Sequence, residues 1–313
     1  MTATTAATTT ETTETSGTTR ATATRLLGGL RTSAIGLGAM PLSVEGRPDE
    51  ARAIATVHAA LDAGITLIDT ADSYHWHADE YGHNEELIAR ALASYGPGAE
   101  HVRVATKGGR GRPGDGSWTV NGDPAHLKRA CEGSLRRLGV EAIGLYQQHH
   151  PDRNVPYADS LGAVRELFEE GKIRAAGISN VDVAQVRLAR EILGDALVSV
   201  QNEYSPAVRK HQPVLDLCTE LGLAFLPWSP LGGIGRSAGL GGAGQEFAAV
   251  AAEHGVSPQR VALAWLLATS PVTIPIPGAS RPETIRDSAA AGELVLGEEE
   301  LARLENANGA RHP

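Results

Sequence analysis

From about Leu26 onward, short apolar runs alternate with stretches of helical periodicity. "LLGGLRTSAIGLG" reads as a short hairpin leading into a first strand near Ala34–Gly38. The helix "DEARAIATVHAALDAG" follows, stopped at Gly64, then the strand "ITLID" and the helix "NEELIARALAS". "HVRVATK" alternates in the β-branched manner of a strand. "DPAHLKRACEGSLRRLG" is a helix with Asp123 as N-cap, Pro124 at its first position and Gly139 at its end. The strand "AIGLYQQH" comes next.

The second half repeats the alternation. The predicted strands are "IRAAGIS", "LVSVQNEY", "LAFLPWSP" and "VTIPIPG". The helices between them are "YADSLGAVRELFEEGK", "DVAQVRLAREIL", "HQPVLDLCTELG" and, after a Gly-rich loop, "PQRVALAWLLATS". "PETIRDSAAA" and "EEELARLENA" are final helices. Eight short apolar strands alternating with helices imply a parallel sheet. At this length they point to α/β architecture of the (β/α)8 type, a TIM barrel with a short N-terminal hairpin and extra C-terminal helices. An open sheet is the alternative.

The start is different. Residues 1–24 are almost entirely Thr, Ala and Glu, without the large apolar side chains a core needs. They read as a disordered tail with no secretory h-region, leaving residues 25–313 as the barrel domain.

Composition narrows the function classes. Of 313 residues, 42% are hydrophobic and 21% charged, which fits a soluble globular chain. The net charge of -9, with no Lys/Arg-rich run, argues against nucleic acid as a partner. No apolar stretch reaches the roughly 20 residues that cross a bilayer. Two cysteines, Cys131 and Cys218, are too few for a disulfide framework and suggest a reducing, cytoplasmic setting. Oligomeric state is not legible.

In a barrel, chemistry belongs at the C-terminal strand ends, and these carry a coherent polar set. Asp69 ends the second strand, with Tyr74 five residues on. Lys107 ends the third and His149 the fourth. Ser179 and Asn180 end the fifth and Gln201 the sixth. Buried carboxylates are costly unless paired, so Asp69 implies either a nearby cation or a strand end that is a surface turn.

These stretches carry a resemblance. "GLGAM", "DTADSY", "ATKGG", "LYQQHHPD", "AAGISN", "VQNEYSP", "WSPLGG" and "PIPGASRPETI" occur in the order of the aldo-keto reductases. The chain resembles that family over nearly its whole ordered length. The resemblance implies a catalytic tetrad of Asp69, Tyr74, Lys107 and His149, and NADPH/NADP+ as cofactor. It implies reversible reduction of aldehydes or ketones by direct hydride transfer. Tyr74 would be the general acid, its acidity raised by Lys107, and His149 would orient the small-molecule carbonyl substrate.

The same resemblance implies a cofactor site. It comprises Gly38, Ala39, Met40, Asp69, Ser179, Asn180, Gln201, Trp228, Ser229, Pro230, Leu231, Gly278, Ser280, Arg281, Asp287 and Ser288. Either Tyr204 or Trp228 would stack on the nicotinamide. Arg281 would pair with a 2′-phosphate. Potassium-channel beta subunits resemble the family too, so an NADPH-binding regulatory subunit with slow turnover is the alternative function.

Several features depart from or imitate such a site. "SYHWHADEYGHNE" is expanded, which makes Tyr81 a second candidate acid. Trp76 and its flanking histidines, Trp118 and His150 are expected to line the substrate pocket. The loop after Lys107 would shape it. The short C-terminal tail suggests an open site of broad acceptance. His75, His77 and His83 lack a third ligand at metal spacing, so no metal is expected. "GLGGAG", Gly239 to Gly244, matches G-x-G-x-x-G but follows a loop, not a strand, so it is not a dinucleotide fingerprint.

Overall fold

The computed structural model describes residues 23–233 and 244–309. Of the expected tail over residues 1–24, residues 1–22 lie outside the described residues, as does the Gly-rich run from residue 234 to residue 243, while Thr24 is in a strand.

The chain opens with an antiparallel hairpin of β1 (Thr24–Leu27) and β2 (Leu30–Ser33). Gly28 and Gly29 between them both have positive φ, the left-handed pair that a two-residue hairpin turn requires. The barrel strands follow: β3 (Leu37–Gly38), β4 (Leu67–Asp69) and β5 (Arg103–Gly108). A small ribbon of β6 (Arg110–Gly111) and β7 (Thr119–Val120) rises from the loop after β5. Then come β8 (Leu145–Gln148), β9 (Ala176–Ser179), β10 (Leu197–Gln201) and β11 (Ala224–Phe225).

The seven barrel strands form one parallel sheet in the order β11-β10-β9-β8-β5-β4-β3. The eighth predicted strand, 272–278, closes it. Ile274 N–H donates to Phe225 O at 2.8 Å, and Pro277 O accepts from Gly38 N at 2.9 Å. Parallel bridges join Phe225 to Thr273 and Gly38 to Gly278. Pro275 and Pro277 lack the N–H that would complete a ladder to the first strand, so this edge pairs through carbonyls alone. The fold is a (β/α)8 barrel.

The helices ring it: α1 (Glu50–Asp62), α2 (His83–Tyr95), α3 (Pro124–Leu138), α4 (Tyr157–Glu169) and α5 (Val183–Leu193). α6 (Gln212–Leu221), α7 (Gly244–His254), α8 (Pro258–Thr269), α9 (Pro282–Ala289) and α10 (Glu298–Gly309) complete the set. The Asp123 carboxylate accepts from His126 N, and Gly139 terminates α3 in the left-handed region, as the sequence predicts. α7 was not expected. It follows a Gly-rich run and starts at a glycine, so no cap announces it. Packing holds it instead, with Phe247 edge-on to Trp265 at 6.2 Å.

The barrel interior explains where the site lies. Leu67, Ala105, Leu145, Ala175, Ala224, Leu226, Ile274 and Ile276 form one apolar cluster, and Leu27 of the hairpin packs into it from below. Strand side chains alternate with period two, so the residue two places on faces the same way. Two places beyond Leu67, Ala105 and Leu145 stand Asp69, Lys107 and Gln147. The barrel is an apolar plug below and a polar layer above.

Candidate functional site

The polar layer is a closed hydrogen-bond network. Lys107 Nζ donates to Asp69 Oδ1 at 2.5 Å, to Thr70 O at 2.9 Å and to the Tyr74 hydroxyl at 3.0 Å. Asp69 Oδ2 accepts from Gln201 Nε2 at 2.8 Å and from Gln147 Nε2 at 3.2 Å. Both members of the ion pair are buried, so every polar atom needs such a partner. Register sets this up: Asp69 pairs with Ala105, while Lys107 pairs with Gln147. At Gly108 a Cβ would lie 2.0 Å from the Tyr146 hydroxyl, so only glycine fits beside that ring without displacing it.

Burial and charge set the protonation states. Burial pushes the Tyr74 phenol above its ordinary value, although Lys107 pulls it down. The expected net lowering by Lys107 is therefore reversed, because desolvation of the phenolate outweighs the ammonium. Burial works against the Lys107 ammonium, yet Asp69 and Tyr74 together hold it above the usual lysine range. His149 is held well below the usual histidine range by burial, with Lys107 and Arg110 adding to the effect. Its imidazole is neutral near pH 7. Its Nδ1 lies 3.5 Å from Ser73 Oγ.

A cavity of about 830 Å³ opens over this layer. Asp69, Tyr74, Trp118 and His149 line one end, and Arg281, Asp287 and Ser288 line the other. Between them lie Gly38, Met40, Ser179, Asn180, Gln201, Trp228, Ser229, Pro230, Leu231, Gly278 and Ser280. Asn180 and Ser229 have φ of 61° and 49°, the positive-φ non-glycine residues among those described. Such conformations are strained and cluster at ligand sites. Asn180 Nδ2 donates to His149 O at 3.0 Å, and its Oδ1 accepts from Trp228 Nε1 at 3.2 Å.

Some expected residues stand elsewhere. Trp76 does not line the cavity; it stacks on His77 at 5.1 Å, with Arg47 over its ring. His75 turns inward and bonds His77 O. The expanded loop is pinned outside the mouth by Arg47–Glu80 and by Arg112, which donates to His75 O. His150 is also outside the lining, its Nδ1 against Pro151 O at 2.9 Å. Ala39 is fully buried behind the wall, its carbonyl accepting from Asn84. Asp287 reaches the lining but is held by Arg260 at 2.6 Å and by Ser257.

Two paired alternatives separate by geometry. Tyr81 is not among the partners of Lys107 Nζ: its hydroxyl donates to Asp72, and Arg137 lies 5.1 Å from its ring. Tyr204 is fully buried against Phe225, its hydroxyl bonded to Gln212, whereas Trp228 lines the cavity. Gln147 and Arg110 were not singled out in the sequence. The period-two step from Leu145 would have found Gln147. Arg110 sits in a stretch that reads as loop, and no local pattern marks it.

Among the described residues, no group of three or more His, Cys, Asp or Glu could hold a metal ion. No described helix is long and apolar enough to cross a membrane. Cys131 and Cys218 are buried thiols.

The same fold recurs in known proteins. A glycerol dehydrogenase of Gluconobacter oxydans superposes with a TM-score of 0.78 at 29% identity, covering 92% of this chain and 95% of that one. An aldo/keto reductase of Klebsiella pneumoniae, solved with NADP and acetate, gives 0.75 at 28% identity, over 91% of this chain and 95% of that one. An uncharacterized oxidoreductase of Schizosaccharomyces pombe is 35% identical over 283 residues, 89% of this chain and 88% of its own. The model of the Aldo/keto reductase family matches residues 34–308. With the barrel, the buried Asp–Lys–Tyr network and this match in agreement, the chain belongs to the aldo/keto reductase family and is an oxidoreductase.

Proposed function

We propose that the protein reduces aldehydes or ketones to alcohols with NADPH, and runs the reverse oxidation with NADP+. The observation that carries this reading is the Lys107 ammonium, held between the Asp69 carboxylate and the Tyr74 hydroxyl.

The cavity fits such a dinucleotide. Its lining includes Arg281, the Ser280 hydroxyl and the N-terminus of α9, which can take phosphate. Asn180, Ser179 and Gln201 supply amide and hydroxyl groups for a carboxamide. Trp228 offers an aromatic face, and Ser229, Pro230 and Leu231 follow it along the wall. When bound, the dinucleotide supplies the hydride.

The chain's own residues handle the proton. The carbonyl oxygen gains charge as its carbon is reduced and takes the Tyr74 proton. Burial keeps that proton on the phenol at neutral pH, and the ammonium 3.0 Å away stabilises the phenolate left behind. Asp69 and its two glutamines keep Lys107 in place and charged. Neutral His149, its Nδ1 3.5 Å from Ser73 Oγ, would donate from Nε2 to the carbonyl oxygen, an electrostatic role set before reaction.

The test is NADPH oxidation against a carbonyl panel of aryl aldehydes, pyridoxal, glyceraldehyde and keto sugars. Turnover that collapses in Tyr74→Phe and Lys107→Met supports the reading. Tight NADPH binding without turnover on any member would instead favour a regulatory, cofactor-sensing role.

A further inference from the structure

The ionised side chains that line the cavity are Asp69, Arg110, Arg281, Glu283 and Asp287. Four of them have a partner of opposite charge. Asp69 has Lys107 at 2.5 Å, Asp287 has Arg260 at 2.6 Å, and Arg281 and Glu283 face each other at 3.6 Å. Arg110 stands apart. Among the described residues no carboxylate lies within ion-pair distance of it, and its buried Nε has no hydrogen-bond partner.

The contrast with Arg112 sharpens the point. Each guanidinium lies 4.5 Å from the Trp118 ring. Arg112 is neutralised by Glu45 at 2.5 Å and also donates to His75 O. Arg110 keeps its full charge on the cavity side. The ribbon holds Arg110 in place, with Arg110 opposite Val120 and Gly111 opposite Thr119. Its position is at the reacting end: Trp118 lies 6.4 Å from both the Tyr74 and His149 rings. The charge of Arg110 bears on both groups, depressing His149 further and opposing the rise at Tyr74.

A part-buried guanidinium without a counter-ion is costly, and its planar fork matches an oxyanion. We propose that Arg110 determines substrate specificity by binding an anionic group, carboxylate or phosphate, carried by the carbonyl substrate. This rests on the reductase reading of the site. The aromatic surfaces of Trp118, Tyr74 and His149 would hold the body of the substrate, its carbonyl toward Tyr74 and its anion toward Arg110. The cavity then prefers acids bearing an aldehyde or keto group over their neutral analogues.

The experiment compares matched pairs: 4-carboxybenzaldehyde with benzaldehyde, and glyceraldehyde 3-phosphate with glyceraldehyde. In the wild type, kcat/KM should favour the anionic member of at least one pair by about tenfold or more. The pair that responds tells carboxylate from phosphate. In Arg110→Met that ratio should fall to about one, mainly through KM, with Arg110→Lys between. A wild-type ratio near one in both pairs, or a ratio unchanged in Arg110→Met, overturns the proposal. A merely structural arginine stacked on Trp118 would weaken both members of a pair equally and leave the ratio alone. Calorimetry of 4-carboxybenzaldehyde and glyceraldehyde 3-phosphate binding to the NADP+ complex reads the same point without turnover. If no carbonyl reacts but Arg110→Met weakens binding of either compound about tenfold, the reductase reading fails and the anion site stands. Equal binding of both compounds by wild type and Arg110→Met overturns the site.

Discussion

Lys107 Nζ lies 2.5 Å from Asp69 Oδ1, and both side chains are buried at the top of the barrel plug. Removing one partner of such a pair strands the other's charge, at about 3–5 kcal/mol. Asp69→Asn and Lys107→Met should each destabilise strongly, and the double variant by clearly less than their sum. Denaturant unfolding of the four proteins measures the coupling. Strict additivity would mean the contact contributes nothing.

Tyr74 and Tyr81 compete for the acid role on sequence, and their surroundings differ. Only Tyr74 touches Lys107; Tyr81 is committed to Asp72. Tyr74→Phe should lower kcat by about 10²–10⁴-fold while NADPH, titrated by fluorescence, still binds. Tyr81→Phe should keep kcat within a few-fold. The opposite ranking would reassign the acid.

The pH profile follows from the directions of shift. Tyr74 and Lys107 both titrate above their ordinary ranges, and His149 titrates well below its own, so it stays neutral at pH 6.5. Carbonyl reduction should then be flat from about pH 6.5 to 9 and fall only as the phenol ionises, beyond its ordinary value of about 10. Steady-state rates across that range check it. A break near pH 6.5 that disappears in His149→Gln would show the imidazole to be charged in the working enzyme.

Asp72 links the expanded loop to stability. It is fully buried, its Oδ1 has no partner, and burial together with nearby Glu85 raises its carboxyl to about 8. The folded state thus holds a proton that the unfolded chain releases near pH 4. The stabilisation from that proton is complete below pH 4 and is lost as pH rises through 8. Asp72→Asn, which keeps an acceptor for Tyr81, should gain in stability relative to wild type as pH goes from 5 to 9, by up to a few kcal/mol. Paired melting curves at the two pH values read the sign.

Arg281 is more than half exposed beside Glu283 at the far end of the cavity. Arg281→Gln should weaken NADPH about tenfold and leave NADH nearly unchanged. Parallel fluorescence titrations separate the two. Equal losses would remove the 2′-phosphate role.

The sequence alone determined most of the order of elements and most of the polar set at the strand ends. Apolar runs, caps such as Asp123 and strand ends are local, so Asp69, Lys107, His149 and Gln201 could be read in line. Period-two alternation extends this to Gln147. The tertiary structure decided what depends on direction and on distant partners. It separated Tyr74 from Tyr81 and Trp228 from Tyr204, because each choice turns on which side chain reaches Lys107 or the cavity. It left Trp76 and His150 outside the cavity lining, their rings against His77 and Pro151 O. It closed the barrel through a segment whose prolines break the strand pattern, and it supported α7 by packing where no cap signals a helix. Arg110 is the clearest case. An arginine in a Gly-rich loop carries no local mark, and its unbalanced charge exists only because the fold supplies Glu45 to Arg112 and, among the described residues, no acid to Arg110.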